Sequence, residues 1–195
     1  MIDLDSTKKL LINLRHRKDR LEESKKECSK FFNTEFIVVE GIRNKETPLV
    51  GIAESHQKCI QIAKDENLDY VIIMEDDIMF TSIRARKYAD LALTKMPAEW
   101  DILSGGFFEG SRKKFNEFWS KAEGFYGAHF LIVNKTAYDK ILSFDKSCHI
   151  DAWMAKNLTC YCTNKMFTVQ RDGMSDNSKK HRHWLGFIRK FDVLK

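Results

Sequence analysis

Three adjacent carboxylates, Glu75, Asp76 and Asp77, follow an apolar run from Tyr70 to Met74. Like charges a few ångströms apart oppose one another's ionisation, so this cluster calls for a positive partner. Carboxylate oxygens are ligands that suit Mg²⁺ and Mn²⁺. In an extended backbone Glu75 and Asp77 point to one face and Asp76 to the other, so Asp77 and one neighbour can share an ion. The triplet predicts a divalent-cation site; the alternative is that the acids only begin a solvated loop.

The elements around the triplet predict an α/β sheet with crossover helices. Up to residue 104, strand and helix patterns alternate, starting and ending with a strand. The predicted strands are Lys9 to Leu14, Phe36 to Val39, Asp69 to Met74 and Trp100 to Leu103, and the predicted helices are Lys18 to Phe32, Pro48 to about Asn67 and Ser82 to Lys95. In open sheets of this class, ligands bind outside the carboxyl ends of the strands, where the triplet lies.

The second half of the chain has a less regular pattern. Gly105, Gly106 and Gly110 predict a flexible segment, which is followed by a strand over Gly124 to Val133 and a helix over Lys135 to Phe144. Residues 1–195 contain no internal repeat and no linker. We therefore expect one domain, ending in a basic tail at about 179–195.

Composition narrows the class of protein. The net charge of +5 is a weak indication of phosphate-bearing partners. No apolar run approaches the roughly 20 residues that cross a bilayer, and the first residues lack the apolar core of a secretory signal. The 5 cysteines form an odd and scattered set, which is a poor disulfide framework. We expect a cytoplasmic protein with buried or half-buried free thiols and no transmembrane segment.

Short motifs between residues 10 and 177 occur in an order that is typical of one family. They are Ile12-Asn13-Leu14 with Asp19-Arg20, Glu54-Ser55-His56, Val71 to Ile78, Gly127-Ala128-His129-Phe130 through Leu142, Ile150-Asp151-Ala152-Trp153, and Gln170 with Ser175-Asp176. Together they resemble glycosyltransferase family 25, which includes lipopolysaccharide and collagen galactosyltransferases. Ile52-Ala53-Glu54 replaces the family's common Gly-Cys before Ser-His, and residues 105 to 126 have no counterpart.

The resemblance implies a single-domain α/β fold of the GT-A type, with a mixed, mostly parallel sheet and crossover helices. It also implies an inverting transfer of a hexose, galactose or glucose, from a nucleotide diphosphate sugar such as a UDP-hexose to a hydroxyl acceptor. The acidic triplet would act as a DXD-like motif, in which Asp77, assisted by Asp76 or Glu75, holds Mn²⁺ or Mg²⁺. Such an ion neutralises charge on the departing diphosphate. Asp76 or Glu75 would also touch ribose hydroxyls.

An inverting transfer needs a base that accepts the proton of the attacking hydroxyl. Asp151 lies in the aspartate motif of the resemblance and is the candidate catalytic base. The alternative is that Asp151 is the N-cap of a short helix beginning at Ala152.

Four further residues are candidates for binding the nucleotide sugar. Asn13 and Arg20 resemble the family's first-strand motif and would hold the base or the diphosphate, since arginine offers a permanently charged fork. For Arg20 the alternative is a solvated helix position. Ser55 and His56 would line the nucleotide pocket. For His56, on the buried face of its helix, the alternative is a satisfied core residue.

The last residues carry a candidate metal ligand and a basic amphipathic pattern. In GT-A enzymes a late histidine often completes the metal site, and His181 and His183 are the candidates. The alternative for both is a plain basic tail, which is favoured more for His183, so His181 is taken as the candidate ligand. From Trp184 to Leu194, apolar residues recur at helical spacing among basic ones. Packing on the domain is the common explanation of such a helix, and contact with a membrane surface or nucleic acid is the sharper one.

Three other functions stay open at this point. A glycosyltransferase could act on a modified nucleic-acid base rather than on a glycan or lipid-linked saccharide, since the tail is basic. Clustered carboxylates also serve metal-dependent phosphoryl transfer or nuclease chemistry. A non-catalytic module that binds a sugar nucleotide would carry the same motifs.

Overall fold

The computed structural model describes residues 2–107, 109–176, 180–183 and 193–194. The strands are β1 Lys9–Asn13, β2 Ile37–Glu40, β3 Tyr70–Glu75, β4 Ile78–Phe80, β5 Ile102–Ser104, β6 Glu109–Lys114, β7 Trp119–Tyr126, β8 Phe130–Asn134, β9 Cys160–Thr163, β10 Thr168–Gln170, β11 Gly173–Met174 and β12 His181–Arg182. The helices are α1 Lys18–Phe31, α2 Pro48–Asp65, α3 Ala85–Thr94, α4 Tyr138–Leu142, which follows a 3-10 turn at Lys135–Ala137, and α5 Ile150–Asn157.

An 8-stranded sheet in the order β2-β1-β3-β8-β5-β9-β7-β6 forms the centre of the fold. β1 pairs in parallel with β2 and β3, and β5 pairs in parallel with β9. β8 is antiparallel to both β3 and β5, and β7 is antiparallel to β9 and β6. Since only β8 and β7 oppose the common direction, the predicted mixed, mostly parallel sheet is confirmed. Two small ribbons, β4 with β10 and β11 with β12, lie outside it.

The central strand β3 is buried on both of its faces. Val71 and Ile73 belong to the core beneath α2, α4 and α5, while Ile72 and Met74 belong to the core beneath α1 and α3. All four are at most 1% exposed. An apolar run of this kind is typical of a strand covered by helices on each side. It fixes the end of β3, and with it the acidic triplet, at the carboxyl edge of the sheet.

The predicted strand over Gly124 to Val133 is wrong, because two strands occupy this stretch. Gly127 separates β7 from β8 and has a φ of +120°, a conformation that breaks an extended run. The segment predicted to be flexible instead supplies β6, which pairs with β7 as a hairpin. Gly110 in β6 has a φ of +143°, and a Cβ there would lie 1.9 Å from the carbonyl oxygen of Gly124. The glycines in this region therefore permit a close backbone pairing.

The turn before α2 is held by a side chain upstream of the helix. Pro48 is at the first helical position as expected, but the Thr47 hydroxyl makes no capping hydrogen bond. The Asn44 Oδ1 atom instead accepts the backbone N–H groups of Glu46 and Thr47, at 3.1 and 2.8 Å. A side chain three residues upstream thus organises the turn that leads into α2.

The structure also bears on the predictions for the cysteines and for the basic tail. All cysteines are free; Cys148 is exposed and the others are buried. No helix among the described residues is long and apolar enough to span a membrane. The predicted amphipathic helix falls mostly outside the described residues. Its described end is extended rather than helical, since Val193 forms an isolated parallel bridge with Met166.

Candidate functional site

A cavity of about 910 Å³ opens at the carboxyl ends of β1, β2 and β3. The acidic triplet lies in its wall together with the loop at 41–45, the start of α2, the segment at 126–128 and the start of α5. Predicted site residues that line it are Arg20, Ser55, His56, Glu75, Asp76, Asp77 and Asp151. The structure therefore brings most of the predicted residues to one cavity, at the edge where an α/β sheet binds ligands.

Asp76 is held from two sides by the first strand and helix. Its Oδ2 atom accepts a hydrogen bond from Asn13 Nδ2 at 2.7 Å, and its Oδ1 atom accepts one from Arg20 at 2.9 Å. The Ser24 hydroxyl donates to the Asp76 carbonyl oxygen at 2.7 Å. The residue is only 8% exposed. Asn13 and Arg20, both predicted to bind the nucleotide sugar, therefore contact Asp76 directly and position its carboxylate.

Glu75 and Asp77 both contact Gln170. The Gln170 Nε2 atom lies 3.5 Å from Glu75 Oε2 and 3.5 and 3.4 Å from the two carboxylate oxygens of Asp77. Arg20 approaches Asp77 Oδ2 at 3.4 Å. The alternation expected of an extended backbone does not continue through the triplet, because β3 ends at Glu75 and a turn follows at Asp76 and Asp77. One Arg20 Nη1 atom accordingly reaches both Asp76 and Asp77.

The ionisation of the triplet reflects burial and mutual repulsion. Burial and the charges of Glu75 and Asp76 raise the pKa of Asp77 to about 7, although Arg20 and Gln170 oppose the shift. Burial also raises the pKa of Asp76, against the opposing effects of Arg20 and Asn13. Burial alone would raise the pKa of Glu75, but His56, His129 and Arg20 outweigh it and lower that pKa. The cluster thus carries negative charge that an added cation would stabilise.

His56 and Ser55 connect α2 to the triplet and to the loop after β2. The His56 Nε2 atom lies 3.1 Å from Glu75 Oε1, and the ring is 1% exposed. The Ser55 hydroxyl accepts the Ile42 N–H at 2.8 Å and donates to the Gly51 carbonyl at 2.7 Å. Both residues therefore shape the cavity wall, and His56 is a buried residue that also orients an acid of the triplet.

His129 lies beneath the triplet and was not singled out as a site residue. Its carbonyl oxygen accepts the Glu75 N–H at 3.1 Å, and its Nε2 atom lies 3.3 Å from the Thr168 hydroxyl oxygen. Burial lowers the pKa of His129 to about 4, although the charge of Glu75 opposes the shift. The only signal in the sequence was its place in the Gly127-Ala128-His129 motif. The main chain of His129 therefore positions Glu75, while its ring contacts Thr168.

Asp151 lies in the first turn of α5, with its carboxylate at the cavity. Its Oδ2 atom accepts the Gly127 N–H and its Oδ1 atom accepts the Ala152 N–H, both at 2.9 Å. The alternative of an N-cap before a helix at Ala152 is wrong, since α5 begins at Ile150 and its N-cap is His149. Burial raises the pKa of Asp151, although the two N–H groups oppose the shift. Both bonds fix the carboxylate and leave each oxygen a further lone pair.

The segment after β10 closes one side of the cavity against α1. Arg17 bonds to Asp176 at 2.6 Å, and the Arg20 Nη2 atom bonds to the Met174 carbonyl at 2.9 Å. His181 is exposed, with its ring centroid 4.6 Å from that of His183. His183 lines the cavity, whereas the lining does not include His181. The structure thus does not bring His181 to the triplet, and its predicted role as a ligand stays a prediction.

The chemistry of the described donors fits a hard divalent cation. In the parts of the chain that the structure describes, no three histidine, cysteine or carboxylate side chains converge closely enough to hold a metal ion. Glu75 and Asp77 nevertheless both lie beside the amide of Gln170, whose Oε1 atom is buried without a hydrogen-bond partner. Two carboxylates and an orphaned amide oxygen are the donors that Mg²⁺ or Mn²⁺ takes.

Comparison with solved structures shows the fold. The catalytic domain of Drosophila β1,4-galactosyltransferase 7, in complex with xylobiose, has a TM-score of 0.52 and 13% identity over 97% of this chain and 82% of that chain. A mutant of that enzyme with manganese, UDP-Gal and xylobiose has a TM-score of 0.47 and 14% identity over 97% and 75%. The protein A197 from STIV has a TM-score of 0.48 and 11% identity over 90% and 93%. The GT-A type fold predicted for this chain is confirmed.

Comparison of the sequence shows the family. No curated protein sequence matches the chain. The profile described as glycosyltransferase family 25 (LPS biosynthesis protein) matches residues 48–150, which is more than half of the chain and includes α2, the acidic triplet and β8. A chain with this match, this fold and an acidic triplet in its cavity belongs to glycosyltransferase family 25.

Proposed function

We propose that this nucleotide-sugar glycosyltransferase moves a hexose, galactose or glucose, from a UDP-hexose to a hydroxyl of a glycan or lipid-linked saccharide. The transfer inverts the anomeric configuration and depends on Mn²⁺ or Mg²⁺. The observation that carries the proposal is the acidic triplet in the wall of a cavity of about 910 Å³. This volume falls within the roughly 300–1,000 Å³ of cavities that enclose small-molecule ligands.

The three acids of the triplet have two parts in this proposal. Glu75 and Asp77, which both contact Gln170, hold the cation, while Asp76 is tied to Asn13 and Arg20 and fixes the first helix to the end of β3. When bound, the cation supplies charge neutralisation for the departing diphosphate. Arg20 is partly buried beside the triplet and adds a permanent positive charge near the same position.

Asp151 acts as the base of the proposed transfer. It shares the cavity with the triplet, and backbone N–H groups hold both of its oxygens. A free lone pair on either oxygen accepts the proton of the acceptor hydroxyl as that hydroxyl attacks the sugar. Because burial favours the protonated carboxyl, the raised pKa of Asp151 improves its strength as a base.

A donor panel tests this function directly. Purified protein with Mn²⁺ is expected to transfer from, or hydrolyse, at least one UDP-hexose, and Asp77→Ala is expected to abolish that turnover. Cleavage of phosphate esters without any nucleotide-sugar binding would instead select phosphoryl transfer or nuclease action. Donor binding without turnover would select a non-catalytic module.

A further inference from the structure

Gln170 is fixed beside the acidic triplet by its backbone. It is the last residue of β10, and its register partner in β4 is Ile78, the residue that follows the triplet. The next residue of the chain, Arg171, donates its N–H to the Asp77 carbonyl oxygen at 2.7 Å. The ribbon of β4 and β10 therefore holds the Gln170 side chain against Glu75 and Asp77.

The amide of Gln170 is only half satisfied in this position. Its Nε2 atom lies 3.4 to 3.5 Å from three carboxylate oxygens of Glu75 and Asp77. These separations are long for an N–H···O bond, which is usually about 2.9–3.0 Å. Its Oε1 atom is buried and has no hydrogen-bond partner among the described residues. A buried acceptor without a partner is costly, so this arrangement has a reason beyond packing.

Rotation of the Gln170 amide would present its Oε1 atom to a cation. A half-turn about the last side-chain bond exchanges Nε2 and Oε1, because the two ends of an amide have the same shape. An amide oxygen facing carboxylate oxygens is repulsive unless a cation lies between them. Amide carbonyls are ordinary ligands of hard divalent cations. Among the described residues, no three histidine, cysteine or carboxylate side chains are grouped to hold a metal ion, so a cation beside Glu75 and Asp77 would need an oxygen ligand of another kind.

We propose that Gln170 binds the divalent cation directly through Oε1, beside Glu75 and Asp77, and turns its NH₂ group onto these acids when the cation leaves. The amide then serves two states of one site. In the cation-free state it separates two carboxylates, and in the loaded state it supplies a neutral oxygen ligand. The proposal rests on the cation dependence of the proposed function, and it assigns to Gln170 the position that His181 was predicted to fill.

Two substitutions of Gln170 separate a ligand from a packing residue. Gln170→Leu keeps the approximate volume and removes both amide atoms, so we expect Mn²⁺ affinity to fall at least about tenfold. Gln170→Glu adds a third carboxylate, so we expect a lower melting temperature without metal but tighter Mn²⁺ binding and a larger rise in melting temperature on adding Mn²⁺. A residue that only packs would show the loss of stability without the gain in affinity. Isothermal titration with Mn²⁺ and melting curves in EDTA and in Mn²⁺ measure both.

Two control variants accompany this test. Gln61→Glu places a carboxylate next to Asp65, on an exposed part of α2, and is expected to leave Mn²⁺ affinity unchanged. His181→Ala is also expected to bind Mn²⁺ as the unaltered protein does. Unchanged affinity in both Gln170 variants, absence of Mn²⁺ binding by the unaltered protein, or a large loss in His181→Ala would overturn the proposal. Tighter binding by Gln170→Glu supports it even where no donor sugar is transferred, which separates it from the proposed function.

Discussion

At the scale of the residue, neighbouring carboxylates have different surroundings and therefore different tasks. Asp76 is buried between an amide and a guanidinium, whereas Glu75 and Asp77 both contact the amide of Gln170. The sequence predicted the triplet at the end of a buried strand, but not the turn that Asp76 and Asp77 form there. The contact of Gln170 with Glu75 could not be predicted, because the two lie 95 positions apart and no local pattern joins them.

The contact between Asn13 and Asp76 is expected to stabilise the fold. Asn13→Ala removes the donor to a buried carboxylate oxygen, which should lower the free energy of unfolding by about 1–3 kcal/mol. Urea unfolding measures the change. Asn157→Ala is the matched control, because the exposed Asn157 bonds only to a carbonyl within its own helix. Equal effects of the two substitutions would contradict a special role for Asn13.

The proposed base is tested by Asp151→Asn. The amide keeps the size of the side chain but cannot accept a proton at neutral pH, so kcat should fall by about 10²–10⁴-fold. The affinity for the UDP-sugar, measured by titration, should change little because Asp151 acts on the acceptor. A variant that retains most of its kcat would exclude Asp151 as the base and leave it a helix-start residue.

At the scale of the element, the first half of the chain was predictable and the second was not. β1 to β3 carry continuous apolar runs, and their helices are amphipathic, so both patterns are visible in the sequence. β6 lies at the sheet edge, and its mostly exposed residues show no apolar face. β4 and β10 are short and pair with each other over residues far apart in the chain, which places Gln170 at the site.

The hairpin of β6 and β7 depends more on Gly110 than on Gly124. Gly110→Ala would force a side chain into a φ of +143° and within 1.9 Å of the Gly124 carbonyl oxygen. We expect a loss of about 1–3 kcal/mol in the free energy of unfolding. Gly124→Ala is the matched control, since its Cβ would meet nothing within 4 Å. A control that is as unstable as Gly110→Ala would disprove the explanation.

At the scale of the whole molecule, the sheet separates two cores and the cavity lies at its carboxyl edge. α2 and α5 pack on one face, and α1 and α3 pack on the other. The site receives residues from β1, α1, α2, β3, α5 and β10. The proposed cation would bind only when these elements are assembled, so its binding free energy would add to the stability of the fold.

Cation binding should therefore raise the melting temperature of the whole protein. At about 100 times its Kd, Mn²⁺ is expected to add roughly 2.7 kcal/mol to the free energy of unfolding. EDTA should reverse the effect, and Asp77→Ala should remove most of it. An equal rise in the variant would place the cation elsewhere on the molecule.

The most direct test of the cation site is the coupling between Mn²⁺ and UDP in a binding titration. A cation that docks the diphosphate must strengthen UDP binding, and UDP must strengthen cation binding by the same factor. We expect Mn²⁺ to increase UDP affinity at least about fivefold in the unaltered protein and to have no effect in Asp77→Ala. UDP binding that is equally tight in EDTA and in Mn²⁺ would contradict a cation held by Glu75 and Asp77.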